Sequence, residues 1–276
     1  MSSIRDRSAV FGPNLSLDPT EIAAALRRAM PWLDANLRHV TDPSARVKDL
    51  TWNVGDVAAH VAAVLGDYRN LAEGGPPFGV TAPECQRVID AGLARVSERR
   101  PPILADRIRD DIEALAGVVA SSRPEQTVNW YAGTTATPAF LGAIVLGEVL
   151  IHGWDIATTS HGNTTLDPIG SRFGVLAAAA VCVLVLTPKG KTVTADLEFR
   201  IRGYESIGLR LADGHAQITT QPTGRPDVWF EGAPAPFVLW MYLRTGELKP
   251  FLNRSVRIGG RRPWRALAIA KWFEVI

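Results

Sequence analysis

Thr187-Pro-Lys-Gly-Lys-Thr-Val-Thr-Ala-Asp-Leu-Glu-Phe-Arg-Ile201 is the stretch where the chain changes its period. Val193, Ala195, Leu197, Phe199 and Ile201 alternate with polar residues, so an extended backbone there has one apolar and one polar face. Ile207 to Thr219 continues the alternation on both sides of Asp213-Gly214, residues that accept the left-handed conformation of a tight hairpin turn. Further strands are expected at Val228 to Glu231 and Val256 to Ile258. Helices are expected at about Pro234 to Arg244 and Pro263 to Phe273. The boundary between two domains is placed near residue 188.

Upstream of that break the period is helical. Asp18-Pro-Thr-Glu supplies an N-cap, a proline at the first helical position and an acidic first turn, and Ile22, Leu26, Met30 and Leu33 follow at three- and four-residue spacing. A second helix begins near Asn53, with Val54, Val57, Ala58, Val61, Val64, Leu65 and Tyr68 on one face, and stops before Glu73-Gly-Gly-Pro-Pro. Further helices are expected from about Ala82 to Glu98, Leu104 to Ala120 and Pro138 to Thr159, and one after Leu166 carrying Val175 to Leu186. Long helices with short polar links predict an antiparallel bundle. The fold class is therefore α+β, a helical bundle at 10–187 followed by a small α/β domain at 189–276.

Composition narrows the function classes. The 276 residues carry 30 Lys plus Arg against 28 Asp plus Glu, a balance of +2 that gives no reason to expect nucleic acid as partner. The longest uninterrupted apolar run, Phe173 to Leu186, is too short to span a membrane, and MSSIRDRSAVFGPN lacks the apolar core of an export signal. Cys85 and Cys182 are far apart and suggest neither a disulfide framework nor a cysteine metal site. A cytoplasmic protein acting on small molecules is expected. Its oligomeric state is not legible.

One constellation carries chemistry. In Leu146-Gly-Glu-Val-Leu-Ile-His-Gly-Trp-Asp155, Glu148 and His152 lie four residues apart and project from one helical face among apolar neighbours. Trp52-Asn-Val-Gly-Asp-Val-Ala-Ala-His60 places a second histidine beside a strip of valine and alanine that faces the bundle core. Either element alone reads as a surface pair or a satisfied core histidine. A carboxylate and two imidazoles buried together are costly unless paired, and a divalent metal pairs them. Two histidines and one carboxylate suit catalytic zinc and equally non-haem iron.

These blocks also resemble a known family. Trp-x-Val-x-Asp-Val-x-x-His followed on a later helix by Glu-x-x-x-His-Gly-x-Asp-Ile-Ala is similar to the DinB-like metal-binding fold. More narrowly it is similar to the actinobacterial maleylpyruvate isomerase type, whose bundle precedes a sterol-carrier-like α/β domain. The resemblance implies a divalent metal, usually zinc, on His60, Glu148 and His152. It also implies mycothiol, a low-molecular-weight thiol, as co-substrate in isomerisation of a small electrophile or S-transfer to it. A cation favours thiolate over thiol, and thiolate is the nucleophile. That family leads us to expect a Gly-Arg pair ending the second domain's apolar helix, the arginine reaching the site. The stretch here reads Leu243-Arg-Thr-Gly-Glu247, so an acid follows Gly246 and Arg244 is the candidate to hold the substrate's anionic group.

Asp56, one turn before His60, and Asp155, three residues after His152, are candidates to orient the ligand histidines, or else a cap and a surface acid. Trp52, Trp130, Tyr131 and Trp154 either wall a pocket or pack the core. No Gly-x-Ser-x-Gly, P-loop or Gly-x-Gly-x-x-Gly is present, which argues against serine hydrolases, nucleotide hydrolases and Rossmann enzymes. The arginines of Asn253 to Arg262 read as a solvated strand and turn. Two further readings stay open: a metal-dependent hydrolase, and a non-enzymatic carrier or sensor of a lipophilic ligand whose bundle site is structural or empty.

Overall fold

The computed structural model describes residues 10–11, 15, 17–79, 81, 84–131, 133–219, 224–246 and 248–274. Glu247, Ala82 and most of the first fourteen residues, on which sequence expectations were placed, lie outside them.

Helix α1 (Pro19–His39) starts where its cap dictates, with Asp18 accepting hydrogen bonds from the Thr20 and Glu21 backbone N–H groups. It is followed by α2 (Val54–Ala72), the shorter α3 (Cys85–Arg95), α4 (Pro101–Ser121), α5 (Pro138–Thr159) and α6 (Pro168–Val181). Four of these close a ring in which α1 packs on α4, α4 on α2, α2 on α5 and α5 on α1. Ile22, Leu26, Leu33, Val57, Val61, Leu65, Ile108, Ile112, Leu141 and Val145 fill its interior. Helix α5 is long and apolar enough to cross a membrane, but 89% of its most apolar window is buried inside the protein, as a central helix of a packed core must be.

The sequence reading missed a three-stranded sheet in this half. Its strands β1 (Val10–Phe11), β2 (Val128–Asn129) and β3 (Thr135–Ala136) are ordered β1-β3-β2. Two residues per strand leave no alternation to read.

The second half is a mixed five-stranded sheet, β4 (Ala195–Ile201), β5 (Ser206–Ala212), β6 (His215–Thr219), β7 (Val228–Gly232) and β8 (Val256–Gly259), in the order β6-β5-β4-β7-β8. The β5–β6 hairpin turns at Asp213 and Gly214, both with positive φ (51° and 77°), as the paired primed turn requires. Phe199 and Phe230 stack on the sheet with ring centroids 5.8 Å apart, and α7 (Pro234–Met241) covers them with Phe237 and Trp240. A short α8 (Lys249–Leu252) precedes β8, and the expected last helix is a 3-10 helix, Pro263–Lys271.

The two halves meet through α6, which packs on α5 with one side and on α7 with the other. Gly147 of α5 and Gly174 of α6 face each other, a Cβ added to Gly174 lying 3.5 Å from the Gly147 Cα, and Arg172 of α6 donates to Glu205 of the second half at 2.8 Å. This crossing delivers the end of α7 to the middle of α5.

Candidate metal centre

Two helices of the ring supply the site. Asn53 caps α2 through a reciprocal capping box with Asp56, and two turns on, His60 points into the ring, 4% exposed. Helix α5 presents Glu148 and His152 to the same point, one turn apart. Both imidazoles address one carboxylate oxygen: Glu148 Oε2 lies 3.4 Å from His60 Nε2 and 3.3 Å from His152 Nε2. One ligand atom from each residue lies within 4.8 Å of the others, close enough for a single cation. Among the described residues this is the cluster with metal-ligand chemistry.

Asp155 lies behind His152, 2% exposed, with Oδ2 3.1 Å from His152 Nδ1. An ionised carboxylate has no proton to give, so Nδ1 carries the hydrogen and Nε2 is the nitrogen left for a metal. Asp56 does not play this part for His60. Its carboxylate accepts from the Asn53 backbone N–H (3.3 Å) and from Arg99 Nε (3.0 Å), while His60 Nδ1 is buried with no hydrogen-bond partner among the described residues. The capping box claims Asp56 because it sits at the third helical position, where that box forms.

The charges follow from this packing. Burial pushes the His60 pKa down, against the pull of Glu148, so the ring is neutral at physiological pH. Burial would lower His152 too, but the hydrogen bonds from its two nitrogens to Asp155 and Glu148 outweigh it and raise the group to about 9. Burial alone would raise the Glu148 and Asp155 carboxyls, and their cationic and hydrogen-bonding neighbours hold both below the usual range. Without metal the cluster therefore holds its own proton on His152.

The second half completes the wall. Arg244 donates from Nε to Asp155 Oδ1 at 2.8 Å and from Nη2 to Asp155 Oδ2 at 2.9 Å, and its Nη1 donates to the Tyr242 carbonyl at 2.9 Å. Tyr242, which the sequence reading passed over, reaches so close to α5 that a Cβ on Gly147 would lie 2.6 Å from its hydroxyl oxygen. Trp52 covers the pair of histidines, its ring centroid 4.8 Å from His60 and 6.4 Å from His152. Trp130 is instead core, packed on Phe11 and Phe140, and Tyr131 packs against Phe78 with its ring tilted. Trp154 is half-buried against the core.

Helix α7 stops at Met241, not at Arg244, and the residue that turns the chain in the left-handed conformation is Leu243, with φ 61°. The residue that follows that turn is Arg244. Burial pushes both thiols up, Cys182 to about 12, which suits packing and not nucleophilic attack. Arg261 and Arg265 hold buried Asp227, and Arg257 pairs with Glu231, so the basic run pins β8 and the last turn to β7.

The model of the mycothiol maleylpyruvate isomerase N-terminal domain matches residues 24–157, the ring of helices that carries His60, Glu148 and His152. Among solved structures, a mycothiol-dependent maleylpyruvate isomerase is similar at TM-score 0.54 and 15% identity, over 88% of this chain and 93% of that one. A variant of such an isomerase with one histidine replaced by alanine is similar at TM-score 0.56 and 14% identity, over the same shares of the two chains. Identity this low speaks to the fold, helical domain and α/β domain together. No curated protein matches the sequence.

Proposed function

Residues 24–157 belong to the family of the mycothiol maleylpyruvate isomerase N-terminal domain, and from that premise we propose that the chain is a metal-dependent enzyme that uses mycothiol, or a thiol of that class, on a small electrophile. The observation that carries the proposal is the convergence of His60, Glu148 and His152 within 4.8 Å, the two histidines buried, beside Asp155 and the Arg244 that reaches it from the second half. The donor set fits a divalent cation of the zinc type: two imidazole nitrogens and a carboxylate oxygen, with the hydrogen of His152 turned away onto Asp155. A cation held by three protein ligands lowers the pKa of a thiol that reaches it, so that thiolate is available at neutral pH.

The chain's own groups then have defined tasks. Trp52 shields the histidines from water, which strengthens the charge interactions beneath it. Asp155 and Arg244 keep His152 oriented. A thiolate adding to an electron-poor double bond and leaving again after rotation returns the thiol and isomerises the substrate. Displacement of a leaving group by the same sulfur gives S-transfer.

Elemental analysis of the purified protein is expected to find about one divalent ion per chain, and turnover of a panel of small electrophiles is expected to require both that ion and mycothiol. His60→Ala and His152→Ala are expected to lose the ion and the activity together. Turnover that is indifferent to thiol would transfer the nucleophile's role to water, and turnover indifferent to metal would end the proposal.

A further inference from the structure

Helix α7 ends in a conformation its sequence resists. Leu243 N–H bonds to the Trp240 carbonyl at 2.9 Å and Arg244 N–H to the Leu239 carbonyl at 2.8 Å, the paired bonds of a Schellman turn. The residue at the left-handed position of such a turn is ordinarily glycine, because a Cβ there crowds the following carbonyl. Here it is a leucine, 41% exposed, so burial of its side chain does not explain the choice of conformation. Strain of this kind persists where surrounding contacts over-determine it, and the contacts that follow at once are those of Arg244.

Those contacts form an unbroken line to a candidate ligand. Two nitrogens of Arg244 grip both oxygens of Asp155, and the third donates back to the Tyr242 carbonyl, tying the guanidinium to its own turn. A fork of this shape fixes the carboxylate's plane as well as its charge. The Asp155 oxygen that receives Nη2 is the one facing His152 Nδ1. With each of its three nitrogens already bonded inside the protein, the arginine is committed to the aspartate before any substrate arrives.

We propose that Arg244 is a positioning residue of the metal centre: it acts on His152 through Asp155, and the left-handed turn at Leu243 aims it. The inference rests on the metal reading above and adds that the second domain sets the metal affinity of the first, although none of its described residues is among the candidate ligands.

The test measures Co2+ affinity of the full-length chain by competition with a chromophoric chelator, with the visible spectrum of the bound ion as a second readout. Arg244→Met is expected to weaken Co2+ binding about 10- to 100-fold and to broaden the spectrum. Arg244→Lys is expected to recover part of the affinity, since it restores the charge but not the fork. Leu243→Gly should keep wild-type affinity, whereas Leu243→Ile, branched at Cβ and harder to hold left-handed, should weaken it several-fold with every ligand untouched. If Arg244→Met does not fold, the lysine and isoleucine variants carry the same comparison. Wild-type affinity in folded Arg244→Met, with any loss confined to KM for the substrate, would make Arg244 a substrate-binding residue and overturn the inference alone. Failure of the wild-type chain to take up Co2+ would overturn it together with the metal reading.

Discussion

His152 meets two opposed demands: in the metal-free protein it is a cation between Glu148 and Asp155, and as a ligand it must be neutral. Its pKa, raised to about 9 against an ordinary 6.5, gives the sign of the consequence. The stabilisation is fully present below pH 6.5, where folded and unfolded chains both hold the proton. It is lost as pH rises to 9, with a slope approaching ~1.4 kcal/mol per pH unit. His60, lowered by burial, acts oppositely: below 6.5 the unfolded chain takes up a proton that the folded site refuses. Metal-free protein is therefore expected to be most stable near pH 6.5 in urea titrations, and a stability still rising from pH 7 to 9 would contradict the assignment. Metal must also expel the His152 proton, so titration calorimetry at pH 7.5 in buffers of different ionisation enthalpy should show about one proton released per ion bound. Asp155 is the other sensitive residue. Asp155→Asn leaves Arg244 without its charge partner in a mostly buried position, and a loss on the order of 3 kcal/mol in chemical unfolding is expected.

Among the elements, α5 bears the most constraints, since one helix supplies two candidate ligands, the orienting Asp155 and the seat for Tyr242. Gly147 is where these demands collide: an added Cβ would lie 2.6 Å from the Tyr242 hydroxyl and against the α6 backbone. Gly147→Ala is expected to cost ~1–3 kcal/mol in thermal unfolding, with α7 displaced from α5. A substitution that leaves the melting temperature unchanged would mean that the crossing is looser than the structure shows. What was legible in the sequence follows the same physics. Helices α1, α2 and α5 announce themselves because capping residues and a long apolar period agree. The β5–β6 hairpin does so because Asp213-Gly214 can hardly be anything else. The end of α7 misleads, because Leu243 carries no local sign of a left-handed turn while Gly246, which is also left-handed, looks like the stop. Asp56 stays between its two readings, orienting acid or cap, and proves the cap, because spacing on a helix cannot say which of two nearby partners claims a carboxylate. The convergence of His60, Glu148 and His152 was readable because they sit on two well-marked helices. The arginine's grip on Asp155 depends on how α6 docks one half on the other, and no local pattern encodes that.

For the whole molecule, the candidate site and the docking of its halves are expected to behave as one cooperative arrangement. The candidate ligands belong to α2 and α5, while Tyr242 and Arg244 arrive from the α/β half just past the end of α7, which leans on α5 by way of α6. Anything that binds the folded site stabilises it by RT ln(1 + [L]/Kd), about 2.7 kcal/mol at a hundredfold excess over Kd. That energy should reach whatever must be in place for the ligands to converge. If the Arg244–Asp155 contact is part of the site, zinc added to metal-free protein will slow hydrogen exchange in α2 and α5 and also at the end of α7, around Tyr242 to Arg244. It will leave β6, at the far edge of the sheet, unchanged. In Arg244→Met the protection should stay in α2 and α5 and vanish from α7. Protection confined to the helical ring in the wild-type protein would show that the two halves are coupled by packing alone, and that the centre is complete without the second domain.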